Sequence, residues 1–143
     1  MGDEELTALV EGPADLALLD EALDALEALL SRSVGGSPED RNFFMLAVSE
    51  VVTNVVQHGP EVPQPHVTVA MSVGRSCFGA TVTDDAPPAS IAWDSEPTDA
   101  LDESGRGLDI ARAVLTRFSH DATEECNVWR LTRSFENPGE DAS

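Results

Sequence analysis

Glu50 and Asn54 stand four residues apart inside LAVSEVVTNVVQHG, residues 46–59, a stretch crowded with valine at 48, 51, 52, 55 and 56. In a helix that spacing stacks a carboxylate and a carboxamide one turn apart on a single face. His58 extends the same row. A lone polar pair on a helix is ordinarily a solvated face. Three polar residues in one row beside the valines instead predict a stripe that faces a cleft while the other flank is buried. A carboxylate in such a cleft can accept a proton. An asparagine carbonyl is a hard oxygen ligand suited to Mg²⁺, which normally arrives with phosphates and keeps waters.

Two further groups of residues carry chemistry. In GRGL, Gly105 to Leu108, the glycines allow close backbone approach to an anion. A helix opening there offers free N–H groups and positive potential, and Arg106 adds a charge suited to phosphate. Asp84 closes the apolar run CFGATVTD. As a turn initiator it would be ordinary; its sharper role is to accept a hydrogen bond from an exocyclic amine such as adenine N6.

These residues need elements to position them. Residues 6–10 read as a short first strand. Pro13 and Asp15 open a helix with leucines at 16, 19, 23, 26 and 30, an amphipathic stripe that Gly35 and Gly36 terminate. SPED then supplies Ser37 as N-cap, Pro38 at the first helical position and Asp40 near the capping-box position. This second helix extends to about His58. HVTVAMSV and CFGATVTD alternate as two strands of a hairpin around 74–76. Residues 85–104, with three prolines and six carboxylates, show no periodicity, and a loop this long in a compact domain is usually functional or mobile. A helix from the glycines and a closing strand pair in SHDA and NVWRLTRSF follow. Residues 136–143 read as a disordered tail, leaving one domain over 1–135.

Composition narrows the function classes. The 143 residues carry 27 acidic and 8 basic side chains, every basic one arginine, for a net charge of −19. That balance opposes binding to a phosphate backbone, so direct nucleic-acid contact is not expected. It suits either simple solubility or attraction of a basic protein partner. No apolar run reaches the roughly 18 residues of a membrane span, and the acidic N-terminus is unlike a secretory signal. A cytoplasmic location without membrane contact is expected. Cys77, Cys126 and the three histidines form no metal-binding spacing; the cysteines read as small residues in or near strands.

The order of these features resembles the GHKL ATPase superfamily over roughly residues 6–135, and most of all its stand-alone branch, the bacterial anti-sigma-factor serine/threonine kinases. AVSEVVTNVVQHG is similar to the N-box and GRGLDIAR to the second glycine box. The resemblance implies an α+β two-layer sandwich, with a mostly antiparallel sheet carrying its helices on one face. It implies ATP and Mg²⁺ as cofactors and Glu50 as the general base. Asn54 would ligate the metal, Asp84 would read adenine, and Gly105, Arg106, Gly107 and Leu108 would lie at the phosphates. His58 belongs to the nucleotide-binding row, Asn127 assists near adenine, and 85–104 would be the ATP lid. The implied partners are a sigma factor and an anti-anti-sigma antagonist, and homodimerisation is open because relatives dimerise. One box departs from the pattern. Where Asp-x-Gly-x-Gly is expected, the chain reads Asp84-Asp85-Ala86-Pro87-Pro88, and proline fixes φ and removes an N–H. The alternative is a catalytically degenerate protein-binding module with weak or no ATP binding.

Overall fold

The protein is described by a computed structural model, covering residues 5–33, 35–57, 65–85, 103–122 and 126–135. The chain runs β1 (Leu6–Pro13), α1 (Leu16–Ser31), α2 (Pro38–Gln57), β2 (His66–Val73), β3 (Cys77–Asp84), α3 (Glu103–Val114), β4 (Arg117–Ala122) and β5 (Asn127–Ser134). The strands form one sheet in the order β1-β2-β3-β5-β4, and all four pairings are antiparallel. This is the expected α+β architecture. β1 is longer than the expected 6–10, because every residue through Pro13 finds a partner on β2.

Alternation along the strands decides which face is covered. Val67, Val69, Met71 and Val73 of β2, Phe78, Ala80 and Val82 of β3, and Trp129 and Leu131 of β5 are buried. They share one apolar cluster with Val48, Val51, Val52 and Val55 of α2 and with Leu108 and Ala111 of α3. The opposite face, with Thr7, Leu9, Ala70, Thr81, Arg130 and Thr132, is a shallow open concavity. The valine-rich segment of α2 therefore lies on the sheet, as its composition required.

The first helix departs from the expected stripe. Asp15 caps it as anticipated, its side chain accepting from the Leu18 N–H at 3.0 Å. The buried row, however, is Leu18, Ala22, Leu26, Leu29 and Leu30. Leu16 is exposed, and Leu19 and Leu23 are only partly buried. Leucine and alanine occur on several sides of this helix, so leucine spacing alone selects the wrong row.

Between α1 and α2 the chain comes too close to its neighbours for side chains. A Cβ on Gly35 would overlap the Arg75 carbonyl, and Gly36 has φ +85° with the Phe78 ring beneath it. Beyond them the capping box forms as read. The Asp40 N–H donates to Ser37 Oγ at 3.1 Å, and the Ser37 N–H donates to Asp40 Oδ2 at 2.9 Å.

Asp40 also ties α2 to the sheet. Its Oδ1 accepts from Arg133 Nε at 2.9 Å and lies 2.8 Å from Arg133 Nη2. Arg133 in turn donates to the Val114 carbonyl at the end of α3 and lies over the Phe43 ring. Burial pushes the Asp40 carboxyl up, but hydrogen bonds from Ser37 and Arg133 outweigh it, so the group is held below the usual carboxylate range. A lowered folded value means stability that is present above the unfolded pKa of about 3.9 and lost as pH falls through the folded value. Asp40→Asn is expected to cost about 1.5–3 kcal/mol at neutral pH, the worth of charged hydrogen bonds. Urea unfolding at pH 7 and pH 3 checks this, since the difference between variant and wild type should shrink in acid.

Candidate functional site

The buried polar or charged side chains among the described residues are Asn54, Asp84 and Asn127, at 7, 4 and 2% exposure. Asn54 and Asp84 are residues whose types and places pointed to chemistry, and Asn127 is one that the resemblance implied. Burying a polar group costs free energy unless it is hydrogen-bonded. Apolar residues would fill these positions at less cost, so the trio needs a reason.

Asp84 and Asn127 are cross-strand partners at the ends of β3 and β5. Alternation turns both toward the helix layer, in line with Val82 and Trp129. Asn127 Nδ2 donates to Asp84 Oδ1 at 3.0 Å, which gives the buried carboxylate a charge-assisted partner. On its far side, Asn127 Oδ1 lies 3.1 Å from His120 Nε2 of β4. The His120 ring rests on Trp129, with centroids 4.1 Å apart.

Asn54 reaches the same end of the molecule from α2. The start of this helix is pinned where Asp40 meets Arg133, and Phe44 meets Phe78 at 5.5 Å between ring centres. Phe78 is the register partner of Arg133. From there α2 rises about 21 Å from Asp40 to Asn54, and β3 extends about 20 Å from Phe78 to Asp84. With the valines packed on the sheet between, these matched lengths direct Asn54 toward the Asp84 end of β3. Glu50, one turn before Asn54, is partly exposed. Of the two described members of the row, Asn54 is buried and Glu50 reaches the surface.

Other expected site residues fall differently. α3 begins at Glu103, so Gly105, Arg106 and Gly107 belong to its first turns instead of preceding it. An acidic residue at the first position favours this earlier start, since it complements the positive end of the helix. Leu108 is buried in the core, anchoring the helix. His58, residues 86–102 of the expected lid, with Ala86, Pro87 and Pro88, and the tail at 136–143 lie outside the described residues. Asp85 is engaged elsewhere: its Oδ1 accepts from the His66 N–H at 2.8 Å and its own N–H donates to the His66 carbonyl. That exposed carboxylate closes the β2–β3 end of the sheet.

His120 was not singled out from the sequence. The available signal was the two-residue period of RFSHDA, which puts Phe118 and His120 on the face of Trp129. Cys77 opens β3 and Cys126 immediately precedes β5, and no metal-binding cluster of His, Cys, Asp or Glu occurs among the described residues. No helix among them is long and apolar enough to cross a membrane.

Comparison with known proteins bears on the fold and the family. Over 92% of its length the chain is similar to the structure of the RsbU and RsbW domains of Rv1364c from Mycobacterium tuberculosis, with a TM-score of 0.61 and 20% identity, spanning 32% of that chain. It is also similar, at a TM-score of 0.49 and 18% identity, to the histidine kinase domain of the blue-light activated histidine kinase EL346 from Erythrobacter litoralis, covering 86% of this chain and 61% of that one. No curated protein sequence matches it. Residues 12–133 match the histidine kinase-like ATPase domain. That match takes in α2 with Glu50 and Asn54, the Asp84–Asn127 pair and the glycines of α3, and by it the chain belongs to the histidine kinase-like ATPase family.

Proposed function

We propose that the protein is an ATP-binding anti-sigma regulatory factor of the cytoplasm. In this reading it holds a sigma factor and phosphorylates a serine or threonine of an antagonist protein. The observation that carries the nucleotide part is the burial of Asn54 on α2 together with the buried Asp84–Asn127 pair of β3 and β5. These donors and acceptors fit the group. A buried carboxylate suits an exocyclic amine, and a buried carboxamide oxygen suits Mg²⁺. The anti-sigma part rests on the likeness of AVSEVVTNVVQHG and GRGLDIAR to that branch.

Each residue has a defined task. Bound ATP would supply the transferable phosphoryl group, and Mg²⁺ would neutralise part of its charge. Asp84, held by Asn127, would accept from the adenine amine. Asn54 would offer its oxygen to the metal. The free backbone N–H groups of the first turn of α3 would face phosphate, Gly105 and Gly107 would allow its close approach, and Arg106 lies beside them in sequence. Glu50 accepts the proton of the attacking hydroxyl. The replacement of both glycines of the first box by Ala86 and Pro88 favours a second reading, a binding module that has lost catalysis.

Thermal unfolding with millimolar ATP and Mg²⁺ tests the choice. A ligand at a hundredfold excess over its Kd stabilises by about 2.7 kcal/mol, a rise of several degrees in a domain of this size. We expect a small Mg²⁺-dependent rise, abolished in Asn54→Ala and enlarged when Ala86 and Pro88 are both replaced by glycine. No rise in either protein at any ATP concentration leaves the module.

A basic protein partner steered by the net charge of −19 should associate more slowly as salt rises, with a smaller change in its off-rate. Binding kinetics at low and high ionic strength check this. A flat on-rate would assign the acidic bias to solubility.

A further inference from the structure

We propose that His120 is a positioning residue of the nucleotide pocket, acting on Asp84 through Asn127; this rests on the nucleotide reading given above. The three side chains lie in line across β4, β5 and β3. His120 Nε2 is 3.1 Å from Asn127 Oδ1, and Asn127 Nδ2 is 3.0 Å from Asp84 Oδ1. Asp84 and Asn127 are 4 and 2% exposed, so neither exchanges its partner freely with water.

The direction of the chain follows from the acceptor at its end. An ionised carboxylate only accepts. Asn127 must therefore turn its amide N–H toward Asp84, which leaves its carbonyl oxygen facing His120. That oxygen also only accepts, so His120 Nε2 must carry the proton. The reversed arrangement has Asn127 donating to a bare Nε2 and its oxygen facing Asp84. It exists only if Asp84 is protonated, and a protonated Asp84 turned to donate toward Asn127 is a poorer acceptor for an exocyclic amine. By holding the amide in one orientation, His120 keeps Asp84 fixed as an acceptor. The ring contact with Trp129, itself 1% exposed, fixes the imidazole in turn.

The first test needs no nucleotide. Histidine ring ¹⁵N spectra of the free protein should show His120 protonated at Nε2, and a bare Nε2 would overturn the relay. The second compares binding of ATP with that of purine riboside triphosphate, which lacks the exocyclic amine, in wild type, His120→Phe and His120→Gln. Phenylalanine keeps a ring against Trp129 but loses the donor, whereas glutamine restores an N–H. His120→Phe should lose roughly 2–10-fold of the preference for ATP, the worth of one hydrogen bond. His120→Gln should recover most of it, and binding of the analogue should stay near wild type in both. An unchanged preference in His120→Phe, or equal loss of both nucleotides, would overturn the positioning role. Failure of wild type to bind either nucleotide would instead defeat the nucleotide reading itself. The tautomer spectrum separates that outcome from failure of the relay.

Discussion

If the protein is a kinase, Glu50→Gln is expected to leave nucleotide binding intact and to lower phosphotransfer from ATP by about 10²–10⁴-fold, the usual contribution of a general base. The substitution keeps the shape of the side chain and removes its ability to take a proton. Its position supports the role. α2 is held at its start by the Ser37–Asp40 box and by Arg133, and along its length by buried Val48, Val51, Val52 and Val55. A residue on such a helix has little freedom to drift. Glu50 lies one turn from Asn54 and is partly exposed, so a hydroxyl arriving from another protein can reach it. The measurement is the single-turnover rate of phosphate transfer to the antagonist protein, alongside the ATP-induced rise in melting temperature. Loss of transfer with the melting rise retained assigns the proton to Glu50. Unchanged transfer removes Glu50 from the mechanism.

Phe78→Ala is expected to cost about 3–5 kcal/mol, the range for deleting a buried aromatic ring. Phe78 is fully buried. Its ring sits 5.5 Å from Phe44 of α2 and 4.7 Å from Phe135 after β5, centroid to centroid. It also supports the connection between the helices, where Gly36 has no Cβ to strike it. Truncation therefore loosens a helix, a strand end and a turn together, and the cavity cannot close by moving one side chain. Against a total stability of roughly 5–15 kcal/mol, that is a large share. The melting temperature should fall by on the order of 10–20 °C. A fall of less than a few degrees would mean that α2 and the sheet do not depend on this contact.

Short-range features of the fold were legible in the residues. The two hairpin strands are where alternation put them, because a strand half-covered on one face must repeat every second residue. The SPED helix start is local chemistry, since cap and box lie within one turn of chain. Asn54 and Asp84 stood out because polar residues among buried apolar ones carry a cost that composition alone exposes.

Tertiary packing decided what local pattern left open. In α1, apolar residues occupy several rows, and only docking on β1 and α2 selected Leu18, Ala22, Leu26 and Leu29 over Leu16 and Leu19. The acids at 20, 21, 24 and 27 marked the exposed side more reliably than the leucines marked the buried one. Asp85, one residue after Asp84, closes a strand end, a role set by which neighbour β2 presents. The Asp84–Asn127–His120 line depends on the pairing of β3, β5 and β4, which brings together residues 43 and 7 apart in the chain. Cross-strand register joins distant segments through backbone hydrogen bonds that every residue type can make, so side-chain identity carries little record of it. The sequence by itself determined the elements and most of the polar residues of the site; only the assembled sheet determined which of them touch.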